Sequence, residues 1–321
     1  MLREFDKYRR IDGIIDLDIL PEITTLESPE NIKYSFIYDG EAYLFKKDHY
    51  SGEALIEILN ELIMNSLELD NAQYDVATYN GMKGCLTKSF IKQGSAFCSG
   101  FDFLKQYNPD SDNDIFDYAV ALLNAGLPIE LVKIKIQKML KNHIVDIFTF
   151  QTDRFSDNLG FLITGEEIEV APKFDNGYSF LSSIDNSDQQ KLVTSGYYRR
   201  REMLLEYQFL FHTVLPKYNA DNSITEFWRA TKKSSMSPMV QGKIRHAQNA
   251  LNNGINITTD EVYQMIREQI DMIWSFVERT SSIDFDEFFY TMSDSNMNMP
   301  EPKKNLIKTI YETTQGMFWN G

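Results

Sequence analysis

Two dipeptides, Asp39-Gly40 and Asn80-Gly81, each sit at the centre of a run that alternates apolar and polar residues. Such a dipeptide fills a two-residue type I′ turn with little strain, because both central positions need positive φ. A turn of two residues also sets the pairing of the strands it joins. "NIKYSFIYDGEAYLFKKD" therefore predicts a hairpin over 32–38 and 41–47, and "YDVATYNGMKGCLTKSFI" predicts a second one. Between them, "SGEALIEILNELIMNSLEL" keeps apolar residues at helical spacing through Leu67, with Ser51 as N-cap and Glu53 in the first turn. That is a helix of about four turns. The first ninety residues read strand, strand, helix, strand, strand.

Beyond Asp114 the spacing turns helical, over 115–125, 128–145, 189–215, 223–230, 240–252, 259–279 and 304–317. The stretch from Phe90 to Asp114 is rich in Gly, Ser, Asn and Asp and reads as a connection. The expected class is α+β, with a small β-rich lobe over 1–90, a large α-helical lobe over 91–321 and a cleft between them.

The chain has 321 residues and a net charge of −15. No sustained basic face is offered to phosphate backbones, so direct nucleic-acid binding is not expected. Cys85 and Cys98 are the two cysteines, too few for a disulfide framework, and neither belongs to a zinc-binding pattern. A reducing cytoplasm fits, and a secreted effector that works in a host cytosol is compatible with the same composition. The charged N-terminus has no apolar signal region and no apolar run is long enough to span a bilayer, so no membrane association is expected.

One stretch carries chemistry. "QTDRFSDNLGFLITGEEIEVAPKFDNG" places Asp153 five positions before Asn158, then a strand-like hairpin, then Asp175. This is the order of phosphoryl-transfer machinery: an aspartate that accepts a hydroxyl proton, an asparagine for one Mg²⁺ and a second aspartate for the metal that bridges the phosphates. Upstream, Lys46 lies on the second strand of the first hairpin, where alternation puts Leu44 on its face, so that Leu44 could lie over an adenine while Lys46 reaches phosphates. Glu53, Glu57 and Glu61 form one face of the following helix, and spacing alone does not choose a partner for Lys46 among them. The backbone of Thr87, Lys88, Ser89 and Phe90 is placed to hold an adenine edge.

With its motifs "AYLFKK", "LTKSFI", "QTDRFSDN" and "APKFDNG", the region from about Tyr34 to Phe180 resembles the HipA-like branch of the protein-kinase-like superfamily. The resemblance implies a two-lobed kinase fold and a Mg²⁺-ATP-dependent serine/threonine protein kinase acting on a protein substrate. It implies Lys46 as phosphate lysine, Glu57 as its pairing acid, Asp153 as base, and Asn158 and Asp175 as Mg²⁺ ligands. Thr24, Thr25 and Ser28 are hydroxyls open to autophosphorylation. An antitoxin-like partner protein is a further implication, although the chain is expected to be a short form without the N-terminal subdomain of the full-length toxins. Two features depart from the family. Phe155 stands where relatives commonly carry histidine after Asp-Arg, and no glycine lies between Gly13 and Gly40, where a glycine-rich phosphate loop would be. The rival readings are a small-molecule or lipid kinase, since phosphoinositide kinases share an Asp-Arg-x-x-x-Asn loop, and a pseudokinase acting as a protein-binding platform.

Overall fold

The computed structural model describes residues 7–10, 13–20, 26–27, 33–48, 52–111, 115–149, 151, 156–181, 278–294, 297, 299–301, 303–305, 307–308 and 310–312. Within these, β1 (Ile15–Asp16), β2 (Leu26–Glu27), β3 (Lys33–Tyr38), β4 (Glu41–Lys47), β5 (Tyr74–Tyr79) and β6 (Met82–Lys88) form one sheet, in the order β1-β5-β6-β4-β3-β2. Both turn dipeptides have the positive φ that a type I′ turn needs, at 50° and 78° for Asp39 and Gly40 and at 50° and 69° for Asn80 and Gly81. These turns set the register. Lys33 pairs with Lys46 across the first hairpin, and Tyr74 pairs with Thr87 across the second. The two-residue strands β1 and β2 were not expected, since strands so short show no alternation to read.

Helix α1 (Glu53–Ser66) lies between the hairpins in sequence and packs on the sheet. Its N-cap residue is Gly52, at φ 136°, and the capping carboxylate comes from Asp48, which accepts from the amides of Gly52 and Glu53 at 2.8 Å each. Asp48 therefore does what was expected of Ser51, which lies outside the described residues. Ten of the 14 residues of α1 are buried. Ile56, Leu59, Ile63 and Met64 share one hydrophobic cluster with Tyr74, Val76 and Cys85 of the sheet and with Val145, Phe148, Phe285 and Ile310.

The stretch expected to be a mere connection holds β7 (Ala96–Ser99) and α2 (Gly100–Tyr107). β7 escaped notice because its partner, β8 (Gly160–Thr164), is distant in sequence. For α2 a signal was present: Ser99 accepts from the Asp102 amide and bonds its carboxylate, an N-terminal cap written as Ser-x-x-Asp. The hairpin of β8 and β9 (Glu167–Val170) completes a three-stranded sheet in the order β7-β8-β9.

Helices α3 (Ile115–Asn124) and α4 (Ile129–Phe148) lie close to where periodicity put them. Helix α5 (Phe285–Asp294) was not anticipated, although Phe285, Phe288 and Phe289 have helical spacing and Asp284 caps it by accepting from the Asp286 and Glu287 amides. The helices expected over 189–215, 223–230 and 240–252 lie outside the described residues, as do most of 259–279 and the last residues of 304–317. Among the described residues, no helix is long and apolar enough to cross a membrane.

Candidate functional site

Cross-strand partners in a sheet share a face, so the register lays out two rows of side chains. One row is Lys33, Lys46, Cys85 and Val76; the next is Ser35, Leu44, Thr87 and Tyr74. Leu44 and Lys46 are half-buried on this face, while Tyr43 and Phe45 are buried on the other. The face that carries Leu44 and Thr87 side by side is thus also the face of Lys46.

Lys46 meets three carboxylates. Its Nζ lies 2.6 Å from Glu53 Oε1, 3.2 Å from Glu57 Oε1 and 2.6 Å from Asp175 Oδ1. Glu53 and Glu57 come from successive turns of α1, and Asp175 from the segment after β9. Spacing left the choice of glutamate open and the resemblance implied Glu57; Glu53, whose amide Asp48 caps, reaches the lysine as well. Glu61 lies a turn further on and instead accepts the Tyr74 amide at 2.6 Å.

The segment that carries Asp175 is held by residues that sequence reasoning did not single out. The Asp175 amide donates to the Tyr74 hydroxyl at 3.2 Å, and its carbonyl accepts from the Gln151 side chain at 3.0 Å. The next amide, of Asn176, donates to Glu57 Oε2 at 2.8 Å, so Glu57 serves both Lys46 and the loop. Further along, Phe180 N–H donates to the carbonyl of Thr149. Asp175 itself sits at φ 55°, a left-handed conformation that a non-glycine residue keeps only where its surroundings impose it. Behind it Lys173 and Asp146 of α4 form a buried ion pair.

Lys33 completes the group, with Nζ at 3.3 Å from Asp175 Oδ2. It was open to inference: a two-residue turn at 39–40 forces residue 33 opposite residue 46. Tyr74, Gln151 and Asn176 offered no comparable signal, because their contacts span more than twenty residues of chain.

The charges are strongly biased. Burial opposes the charge on Lys46, but Glu57, Asp175 and Glu53 outweigh it and hold the ammonium protonated far beyond its ordinary range. Burial likewise raises Asp175, yet Lys46 and Lys33 overcome this and lower its carboxyl to about 2. Burial pushes the fully buried Glu57 up, with Lys46 pulling the other way. The pairing of ionised Lys46 with ionised Asp175 is the direction these shifts agree on.

Asn158 ends a short 3₁₀ turn, Ser156–Asn158, directly before β8, and is half-buried. Asp153 lies outside the described residues. Lys88 and Ser89 follow Thr87 toward Phe90, whose ring packs 5.4 Å from that of Phe174 and 6.0 Å from that of Phe97. The end of β6 is thereby joined to the residue before Asp175.

A lysine strand, a glutamate helix and an aspartate loop meet here in one ion-pair network. No family model and no curated protein sequence matches the chain. Solved structures do. The crystal structure of a Helicobacter pylori proinflammatory kinase, CtkA, is similar over 94% of this chain and 95% of its own, at a TM-score of 0.57 and 16% sequence identity. The chain is folded like a kinase. A HipA, HipB and operator DNA complex of a Shewanella oneidensis MR-1 toxin–antitoxin system aligns over 95% of this chain and 67% of its own, at 11% identity; its TM-score of 0.43 does not establish a common fold.

Proposed function

We propose that the chain is a Mg²⁺-ATP-dependent serine/threonine protein kinase of HipA-like type, with residues 1–90 as the nucleotide-binding lobe and 91–321 as the lobe of the catalytic and metal-binding loops. The observation that carries this reading is the bridge made by Lys46 between Glu57 and Asp175, because it joins sheet, helix and loop at one point. A kinase needs these parts together when phosphate is transferred.

In this reading Leu44 and Thr87 line the adenine, and the backbone of Thr87 to Phe90 holds its edge. Lys46, steadied by Glu53 and Glu57, holds the α- and β-phosphates. Asp153 takes the proton of the substrate hydroxyl as its oxygen attacks the γ-phosphorus, and the bond to the β–γ bridging oxygen breaks to release ADP. The fit to Mg²⁺ rests on donor chemistry: Asp175 is an ionised carboxylate whose side chain is partly exposed, and Asn158 would add an amide oxygen. Among the described residues no group of three His, Cys, Asp or Glu is arranged for a metal, so phosphates and water would complete the shell. Mg²⁺, when bound, neutralises phosphate charge.

Transfer of the ATP γ-phosphate to proteins of a cell lysate, with phosphosites mapped on the products and on Thr24, Thr25 and Ser28 of the chain, tests the reading. Wild-type protein is expected to label serine or threonine. Asp153→Asn should lose roughly 10²- to 10⁴-fold in rate while keeping its affinity for nucleotide. Nucleotide binding without any transfer would instead mark a pseudokinase, and labelling of lipids or small molecules alone would overturn the protein substrate.

A further inference from the structure

We propose, resting on the kinase reading above, that Lys33 is a second phosphate-binding lysine of the site, and that without nucleotide it occupies the oxygen of Asp175 that an incoming cation would take. The ligand class is the polyphosphate of a nucleoside triphosphate.

The geometry that supports this begins with a shared carboxylate. Lys46 stands on Oδ1 of Asp175 and Lys33 on Oδ2, so both oxygens of this candidate metal ligand are covered by ammonium groups. The two lysines are not equivalent. Lys46 is tied to Glu53 and Glu57 as well, and its side chain is 12% exposed. Lys33 is 32% exposed, sits at the first position of β3, and has Asp175 as its one carboxylate partner among the described residues. When a cation claims Oδ2, Lys46 stays where its glutamates hold it, whereas Lys33 loses its partner.

Its long, flexible side chain can then follow the charge to the phosphates that arrive with the cation. The balance of charge favours this. Two lysines face three carboxylates in the cluster, and a triphosphate adds further negative charge that Lys46 alone is poorly placed to meet. Many nucleotide sites cradle phosphates with the backbone amides of a glycine-rich loop. No glycine lies between Gly13 and Gly40, so a side-chain cation on β3 supplies what such a loop would otherwise offer.

Calorimetry with Mg²⁺-ATP and with adenosine, and Mn²⁺ binding without nucleotide followed by paramagnetic resonance, test the proposal on wild type, Lys33→Gln and Lys33→Arg. Lys33→Gln should bind Mg²⁺-ATP on the order of ten- to a hundredfold more weakly, as expected for loss of a charge-assisted contact. Adenosine, which has no phosphate, should bind as to wild type. Mn²⁺ alone should bind Lys33→Gln more tightly, since the competing ammonium is gone, and Lys33→Arg should keep most of the Mg²⁺-ATP affinity. Opposite shifts for Mn²⁺ and Mg²⁺-ATP are not what a merely structural lysine would produce. Unchanged Mg²⁺-ATP affinity in Lys33→Gln, or a parallel loss for all three ligands, overturns the role given to Lys33. Failure of the wild type to bind Mg²⁺-ATP overturns the kinase reading itself.

Discussion

Among the described residues, Glu57 has two partners, Lys46 Nζ and the Asn176 amide, whereas Glu53 has Lys46 alone and its buried Oε2 has no hydrogen bond. The two glutamates should therefore differ in use although both touch the lysine. Glu57→Gln is expected to lower phosphate transfer roughly tenfold or more, because a charged hydrogen bond and the hold on the Asp175 loop weaken together. Glu53→Gln should cost less, and Glu61→Gln least, since a glutamine oxygen can still accept the Tyr74 amide. Turnover measured beside melting temperature gives the ranking; a larger loss for Glu53→Gln would make it the main anchor of Lys46. Asp175 yields a test by pH. Its carboxyl falls from an ordinary 3.8 to about 2 on folding, so the folded chain binds fewer protons than the unfolded chain in that window. The stability gained is complete above pH ~4 and is lost as pH falls toward 2, amounting to about 2 kcal/mol. Denaturant titrations should show wild type losing that much more than Asp175→Asn between these limits; parallel curves would mean that Asp175 is not held ionised by the lysines.

At the scale of elements, the site depends on how closely β4, β6 and α1 approach. Gly84 lies on β6 against β4, and a Cβ there would come 2.1 Å from the backbone oxygen of Lys46. Gly84→Ala must push the two strands apart, at a cost of about 1–3 kcal/mol, and should move Lys46 enough to weaken nucleotide binding. Asp48 acts at the other junction, where its carboxylate caps α1 just before Glu53. Asp48→Ala should cost about 1 kcal/mol, read as a lower midpoint in urea with an unchanged slope. A variant as stable as wild type would show that the cap is redundant. The hairpins themselves were legible from Asp39-Gly40 and Asn80-Gly81, as was the body of α1 from its apolar period. Its capping residue was not, because Asp48 acts from four positions before Gly52 and depends on the path of the chain between them.

In the whole molecule, β4, α1 and the loop of Asp175 meet at Lys46, while one hydrophobic cluster runs from Ile14 through α1 to Tyr311. A ligand that bridges these parts should stabilise all of them. At a free Mg²⁺-ATP concentration about 100 times Kd, the gain is roughly 2.7 kcal/mol, which a melting scan resolves. A chelator should shrink the shift, as should Asp175→Ala, whereas Asp153→Asn should keep most of it. Equal melting temperatures with and without Mg²⁺-ATP would leave Lys46 and its carboxylates as a structural network.

What the sequence determined by itself was local or ordered along the chain. Two-residue turns dictate register within each hairpin, so Lys33 must face Lys46 and Tyr74 must face Thr87; apolar period marks α1, α3 and α4; and the order of Lys46, a glutamate helix, Asn158 and Asp175 reads directly from the chain. Tertiary structure decided the contacts between distant segments. That Glu53 and Glu57 both reach Lys46, that Tyr74 and Gln151 hold the backbone of Asp175 at a positive φ, and that β7 pairs with β8 all depend on how elements pack. Such packing is set by the summed burial of many side chains and by the closure of long loops, and neither leaves a periodic mark on the residues that meet.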